Sequence, residues 1–243
     1  TLSFIQGVSE FLPISSSAHL LLTSKLFNYK SSSLIIDISL HLGSLLAIIF
    51  YFRKDLINFF QNKNLALLII FGSIPLIVFG FLLYISNLIY YFRNIEIIAW
   101  TTLIFGILLY FSDRFKIKKN FNNDLNLKNI LIIGLFQILA LIPGVSRSGI
   151  VITASRFLNF DRYDSSKISF YLSIPALAGA SALGLKNAFN QNIEFSFLIA
   201  FATISSFIIS YLTIKYFLIF VKNFSLNVFV FYRIFLALIL FII

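Results

Sequence analysis

Six stretches of the chain run almost unbroken through Leu, Ile, Phe and Val: Leu34 to Phe52, Leu65 to Ile85, Ile95 to Phe111, Ile168 to Leu185, Phe195 to Phe217 and Leu226 to Ile243. Crossing roughly 30 Å of hydrocarbon takes about 20 helical residues, so each run predicts a membrane-spanning helix. Two further apolar regions, Thr1 to Leu22 and Ile130 to Leu158, are cut in the middle by proline and a cluster of serines. Non-helical backbone at membrane depth survives only where protein or water satisfies it, so these regions predict broken helices or re-entrant hairpins. The longest polar stretch, Ser112 to Asn129, is too short for a soluble domain. The pattern predicts one all-α polytopic membrane domain over residues 1–243.

The order hairpin, span, span, span occurs twice. A shift of 130 residues places Pro13 on Pro143, Ser16 on Ser146, Ser39 on Ser169 and Leu42 on Leu172, and Leu68, Ile69 and Phe71 on Leu198, Ile199 and Phe201. Identities carry little weight in so biased a composition, and the repeated order carries more. Three crossings is an odd number, so the second copy is expected to be inverted relative to the first. Repeat one covers residues 1–113 and repeat two 130–243, with the loop 112–129 between them.

Composition agrees with this outline. Of 243 residues, 59% are hydrophobic and 12% charged, with a mean hydropathy of +0.95; ordinary soluble domains are roughly 45–50% apolar. The absence of cysteine excludes disulfides, thiolate catalysis and iron–sulfur clusters, and two histidines are too few for a typical zinc site. Carboxylate-bound Mg²⁺ or Ca²⁺ stays open. The net charge of +10 does not point to nucleic acid, because no basic cluster interleaved with aromatics stands in a soluble region. Anionic lipid and the positive-inside bias account for it. The chain opens without Met only a few residues before a polar motif, which suggests that residues precede Thr1.

Loop charge then orients the spans. Arg114, Lys116, Lys118, Lys119 and Lys128 place the 112–129 loop in the cytoplasm; counting outward adds Arg53, Lys54, Lys63, Arg162, Lys167 and Lys222 to that side, against Lys25, Lys30, Arg93 and Lys186 opposite. The first hairpin would enter from outside and the second from the cytoplasm. Their polar tips would meet near the midplane in one buried pocket.

The chemistry sits in those tips. In "QGVSEFLPISSSAH" (6–19), Gln6 and Glu10 are four apart and share a helix face, able to grip one cation or one substrate group. Ser16 and His19 share a face if a helix restarts after Pro13. In "PGVSRSG" (143–149), Gly144 frees the backbone to turn, the serines can cap a following helix whose open N–H groups favour an anion, and Arg147 adds a fork of donors suited to phosphate oxygens. Plainer roles exist: capping for the serines, a hydrogen-bonded interior for His19, a structural ion pair for Glu10 with Arg147. A charge at membrane depth costs at least roughly 2.5–3.5 kcal/mol and is usually functional, so the two together favour a binding site. Gln137 could line the pocket. Asp37 and His41 read equally as helix-start or packing residues, and Arg156, Asp161, Arg162 and Asp164 as solvated loop charge.

At these motifs the chain resembles the undecaprenyl pyrophosphate phosphatases of the bacterial inner membrane, and the similarity extends to "SLHLGSLLAIIFYFRKDL" (39–56), "ISFYLSIPALAGA" (168–180) and "FYRIF" (231–235). The resemblance implies hydrolysis of a C55 polyprenyl diphosphate to the monophosphate lipid carrier used for peptidoglycan and envelope glycans. It places catalytic roles on Glu10, Ser16, His19 and Arg147, with Gln6 at the first motif position and Ser15, Ser146 and Ser148 nearby; the expected substrate contacts are Ser15, Ser17, Gly144, Ser146, Ser148, Gly149 and Gln137, and the expected divalent cation, Mg²⁺ or Ca²⁺, would sit on Glu10 and Gln6. Ser16 is the candidate nucleophile and His19 the base, with Glu10 either binding the cation or orienting His19; a phosphoserine intermediate and direct attack by water both stay open. Gln6 replaces the carboxylate of many members, and Ala18 stands where glycine is common. The implied partners are the lipid substrate and membrane lipids, with room for a homodimer, and the pocket would face the periplasm or cell exterior. A secondary transporter or polyprenyl-phosphate flippase is the competing class, since broken helices meeting at midplane also build transporters.

Overall fold

Leu-, Ile- and Phe-rich segments have no solvent to satisfy their peptide groups once they leave water, and they close those bonds within themselves as helices. A computed structural model describes residues 2–16, 18, 19, 22, 23, 34–61, 63–86, 92, 94–190 and 197–242. Its helices are α1 (Leu2–Ser9), α2 (Leu34–Tyr51), α3 (Arg53–Gln61), α4 (Lys63–Ile85), α5 (Ile95–Asp113), α6 (Phe121–Asp124), α7 (Leu127–Gln137), α8 (Arg147–Phe157), α9 (Arg162–Asn190), α10 (Phe197–Asn223) and α11 (Asn227–Ile242), with a 3₁₀ turn over Ile138–Leu141. Ser16, Ala18, His19, Leu22 and Thr23 are also helical. The described residues contain no β-strand, only an isolated bridge between Lys119 and Phe160.

Both interrupted regions break where expected. α1 ends before Pro13 and helix resumes at Ser16; α7 tightens into the 3₁₀ turn before Pro143 and α8 begins at Arg147. The six predicted spans are helical where they are described, apart from Phe52 and Leu226 at their edges, and among the described residues four helices, over Asn64–Ile85, Ile95–Asp113, Arg162–Leu185 and Ile199–Asn223, are long and apolar enough to cross a membrane. The other two fall short in their described parts. α11 has 16 residues, about 24 Å of helix, which is less than a typical hydrocarbon thickness.

The exterior is oily, and the core, built on buried hydrophobics such as Phe11, Phe170 and Leu172, is interspersed with buried serines and threonines. On α10, Phe201, Ile204, Ile208, Leu212, Tyr216 and Ile219 form an exposed stripe, while Ser206 and Ser210 on its other face are buried. Ser206 Oγ donates to the Leu40 carbonyl at 2.7 Å, and Ser210 Oγ lies 3.0 Å from Ser44 Oγ. Between helices that gain no hydrophobic drive from lipid, such bonds and close backbone contact supply the cohesion. Gly134 on α7 lies so near Gly72 on α4 that a Cβ would strike the Gly72 carbonyl.

The helix contacts come in matching sets. α2 packs on α9; α2 on α10 is matched by α9 on α4; α1 on α10 by α7 on α4; and α5 packs on α11. Each relation survives exchange of the first hairpin, α2, α4 and α5 for the second hairpin, α9, α10 and α11. The backbone shifts the alignment by one residue, however. Ser15 and Ser146 share the unusual φ of +71° at the start of their helices, so Ser146 answers to Ser15, although Pro13 and Pro143 pair Ser146 with Ser16. Gly144 is the extra residue that absorbs the difference.

The charges read as solvated loop instead form a knot beneath the core. Asp113, at the end of α5, is buried; it accepts a two-pronged bond from Arg162 Nε (2.6 Å) and Nη2 (3.0 Å) and one from the Leu226 N–H (3.1 Å). Arg156, only 2% exposed, lies beside it and donates to the carbonyls of Asp113 (2.9 Å), Phe115 (2.7 Å) and Phe160. Asp164 accepts from the Phe121 N–H at 2.7 Å, fastening the 112–129 segment to α9. Apart from Phe160, four positions from Arg156, these partners are 41 to 113 positions apart in the chain, so no local pattern reveals them. Removing one partner of a buried charge network costs about 3–5 kcal/mol. Asp113→Ala should therefore lower the thermal unfolding midpoint of the detergent-solubilised protein sharply, which far-UV circular dichroism on heating measures.

Candidate active site

Glu10 and Arg147 come from hairpins 137 positions apart and meet in an ion pair, Arg147 Nη2 to Glu10 Oε1 at 3.0 Å. Their side chains are only 9% and 13% exposed. Glu10 Oε2 accepts from Gln6 Nε2 at 2.9 Å, the i, i+4 pairing that the spacing predicts. The tips also touch through backbone: Ser148 Oγ donates to the Leu12 carbonyl at 2.8 Å. The two signature stretches thus build one site.

The loop carrying Arg147 is fixed by backbone geometry and by neighbours. Gly144 has φ +93°, and a Cβ there would strike Thr101 and the Ile98 carbonyl, so glycine is required. Thr101 Oγ1 donates to the Pro143 carbonyl at 2.7 Å. Ser146 sits in the left-handed half of the map, at a cost of order 1 kcal/mol or more, and caps α8 by accepting from the Gly149 N–H at 3.2 Å. The N–H groups of Arg147 and Ser148 are left in the first helical turn without intrahelical partners. Ser146 Oγ lies 3.2 Å from Ser148 Oγ.

Three residues outside the predicted set belong here. Arg233 on α11 is fully buried and donates to the carbonyls of Thr102 (3.1 Å), Val145 (3.0 Å) and Gly144 (2.9 Å), holding the turn before Arg147 from behind. His41 donates through Nδ1 to the Asp37 carbonyl (2.8 Å), which leaves Nε2 to accept from Gln6 Nε2 at 3.5 Å. Tyr232, next to Arg233, places its hydroxyl 2.6 Å from His19 Nε2. Arg233 and Tyr232 lie in the "FYRIF" stretch, and an arginine inside an apolar terminal run is the available signal for the first. The spacing of His41 from Asp37 gives no sign that it meets Gln6.

Among the described residues His19 bonds to neither Ser16, Glu10 nor Arg147. Its Nδ1 lies 2.6 Å from the Ser15 carbonyl and its Nε2 on Tyr232, so Glu10 does not orient it. Ser16 is half-buried at the start of its helical segment, and Ser15 is buried. Ser17 lies outside the described residues. Gln137 is fully buried at the end of α7 with neither amide atom partnered among the described residues, and Gly149 is buried in the first turn of α8.

Two orphan atoms lie beside the ion pair. Arg147 Nη1 is a buried donor and Gln6 Oε1 a buried acceptor, each without a partner among the described residues. A buried polar group left unmatched costs free energy, so both suit a ligand that brings its own oxygens and a cation. No group of three or more His, Cys, Asp or Glu gathers among the described residues. A divalent cation would accordingly have Glu10 and Gln6 Oε1 as protein ligands and draw the rest from phosphate oxygens and water, the habit of Mg²⁺ in phosphate sites.

Comparison with known proteins gives the site a context. The family model for "Bacitracin resistance protein BacA" matches residues 1–239. A protein of Pelagibacter ubique named undecaprenyl-diphosphatase is 57% identical over 243 residues, covering 100% of this chain and 95% of its own. Proteins of the same name from Saccharophagus degradans and Alcanivorax borkumensis are each 40% identical, over 97% of this chain and 93% and 94% of theirs. This chain belongs to the bacitracin resistance protein BacA family.

Proposed function

We infer that this multi-pass membrane protein is an undecaprenyl-diphosphate phosphatase, which releases inorganic phosphate and leaves undecaprenyl phosphate, the lipid carrier for peptidoglycan and envelope glycans. The carrying observation is Arg147: one guanidinium nitrogen is spent on Glu10, and the other is buried at the head of α8 without a partner among the described residues. A terminal phosphoryl group between the hairpins would satisfy Nη1 and the first-turn N–H groups together. Arg147 would then stabilise charge spreading onto the phosphoryl oxygens as the bridging P–O bond breaks, which is where most of the rate acceleration in phosphoryl transfer arises.

Ser16 is proposed as nucleophile. Its Oγ would form a bond to the terminal phosphorus as the bond to undecaprenyl phosphate breaks, its proton passing to His19 Nε2 once that nitrogen exchanges the Tyr232 hydroxyl for Ser16; water then attacks the phosphoserine and phosphate leaves. Direct attack of water on the same phosphorus gives the same products. Bound at Glu10 and Gln6 Oε1, Mg²⁺ or Ca²⁺ would neutralise phosphate charge. Ser15, Ser17, Ser146, Ser148, Gly144, Gly149 and Gln137 are proposed to shape the phosphate pocket, the lipid tail leaving sideways into the bilayer. The matched helix contacts and the twin serines at φ +71° support an inverted duplication. The loop charges support a plasma-membrane protein whose pocket faces the periplasm or cell exterior.

Purified protein in detergent, with no gradient across a membrane, should release phosphate from a polyprenyl diphosphate; no release with Mg²⁺ or Ca²⁺ present would sink the enzyme reading and leave transport. A chelator should abolish the activity and either cation restore it. Glu10→Gln and Arg147→Ala should each lower kcat/KM by at least about 100-fold. A phosphorylated Ser16 trapped by acid quench would establish the covalent route, and a Ser16→Ala variant with full turnover would eliminate it.

A further inference from the structure

We propose that Arg233 is a positioning residue for the phosphoryl group: by taking two loop carbonyls from behind, it aims the Ser146 N–H into the pocket with a full positive charge at its back. The proposal rests on the reading above in that a phosphoryl group is taken to sit between the hairpins. Arg233 Nη1 donates to the Val145 carbonyl at 3.0 Å and Nη2 to the Gly144 carbonyl at 2.9 Å. The described residues contain no cis peptide bond, and in a trans peptide the N–H points opposite to the C=O. Each carbonyl held by Arg233 therefore turns the next N–H away from it. The Val145 N–H is taken by the Ile142 carbonyl at 3.3 Å, whereas the Ser146 N–H has no partner among the described residues. Ser146 leads directly into the first turn of α8. Its N–H and those of Arg147 and Ser148 thus form one run of open donors, on the same stretch as the orphan Arg147 Nη1.

Arg233 also carries a charge that no carboxylate answers. It is fully buried, its partners are the carbonyl oxygens of Thr102, Gly144 and Val145, and no carboxylate lies within ion-pair distance of it among the described residues. A guanidinium stays protonated even when buried, and burying its charge without a counter-ion is costly. Glu10 and Arg147 cancel each other, so Arg233 gives the site a positive charge in excess. The side chain passes between Gly106 and Gly149, on which a Cβ would lie 3.1 Å from its Cβ and 3.0 Å from its Nη1. A phosphoryl group would answer the charge through the Val145–Ser146 peptide, with Arg233 on the oxygen end and phosphate on the N–H. The competing role for Arg233 is a plain brace between α11, α5 and the loop. A brace depends on the number of bonds and is indifferent to charge.

Isotope labelling can isolate the peptide concerned. The sequence has two Val–Ser pairs, Val8–Ser9 and Val145–Ser146, so carbonyl-¹³C valine with ¹⁵N serine in the full chain in detergent yields two amide signals, and Val8→Ile leaves that of Ser146 alone. The probe is farnesyl methylenediphosphonate with Mg²⁺, a diphosphate mimic whose CH₂ bridge resists hydrolysis. At saturating probe the Ser146 amide proton of the wild type should move downfield, as an N–H does on gaining a charged acceptor. A signal that stays in place overturns the proposal, and this arm needs no variant at residue 233. Arg233→Met removes the charge and every donor, whereas Arg233→Lys keeps the charge with fewer donors. The Met variant should bind the probe about 100-fold more weakly with a smaller Ser146 shift, and the Lys variant should recover at least about tenfold of that loss. Lys and Met variants impaired alike would reduce Arg233 to a brace and overturn the proposal. Failure of the functional reading looks different: wild type releases no phosphate from a polyprenyl diphosphate, while the Ser146 signal still answers the probe.

Discussion

A carboxylate and a guanidinium that meet away from water fix everything around them. The attraction between Glu10 and Arg147 is large only because little water screens it, and it offsets the cost of desolvating both groups only if they arrive at hydrogen-bonding distance. Neither hairpin can be moved alone without stranding a charge. The packing of α1 on α10 and of α7 on α4, the glycine contact at Gly72 and the threonine brace on Pro143 all serve to deliver those two side chains to one point. The pair also leaves its own remainder, since the carboxylate is shared with Gln6 and the guanidinium keeps a nitrogen in reserve. A pair built this way cancels its own charge and leaves one donor and one acceptor that an anion with its counter-ion can take up.

Much of that was legible in the sequence because polarity is conspicuous in an apolar chain. Glu10, Arg147 and the two prolines stand out against Leu and Ile, and a broken helix follows from Pro13 and Pro143 with little else needed. The spacing of Gln6 and Glu10 gives their shared face directly. What the sequence conceals are contacts between distant polar residues whose local setting is unremarkable. Arg156 and Arg162 look like ordinary loop charge until Asp113 is brought under them, and His41 looks like a helix-start partner of Asp37 until Gln6 arrives. The lengths of α2 and α11 and the one-residue offset between Ser15 and Ser16 escape for another reason. Hydropathy marks where a helix is oily, whereas its ends are set by capping and packing.

The interior shows how a chain this apolar avoids collapsing into an unspecified bundle. Lipid tails are as oily as leucine, so burying leucine contributes little to the choice among helix arrangements. Discrimination comes from groups with few acceptable partners: serine hydroxyls shared between α2 and α10, carbonyls taken up by Arg233, and glycines that admit a neighbouring backbone. The charged knot at Asp113 acts likewise at one end, tying the ends of α5 and α8 to the starts of α9 and α11.

Adjacent residues of α11 reach in two directions, Tyr232 to the first signature stretch and Arg233 to the second. This bears on how members of such a family are told apart by eye. A chain could keep "EFLPISSSAH" and "PGVSRSG" letter for letter, lose a few residues near its end, and still pass as intact by its motifs. It would lack the side chains that hold those motifs in register with each other. The last helix, which lies outside both signatures, is therefore the part to inspect first when a chain bearing them proves inert.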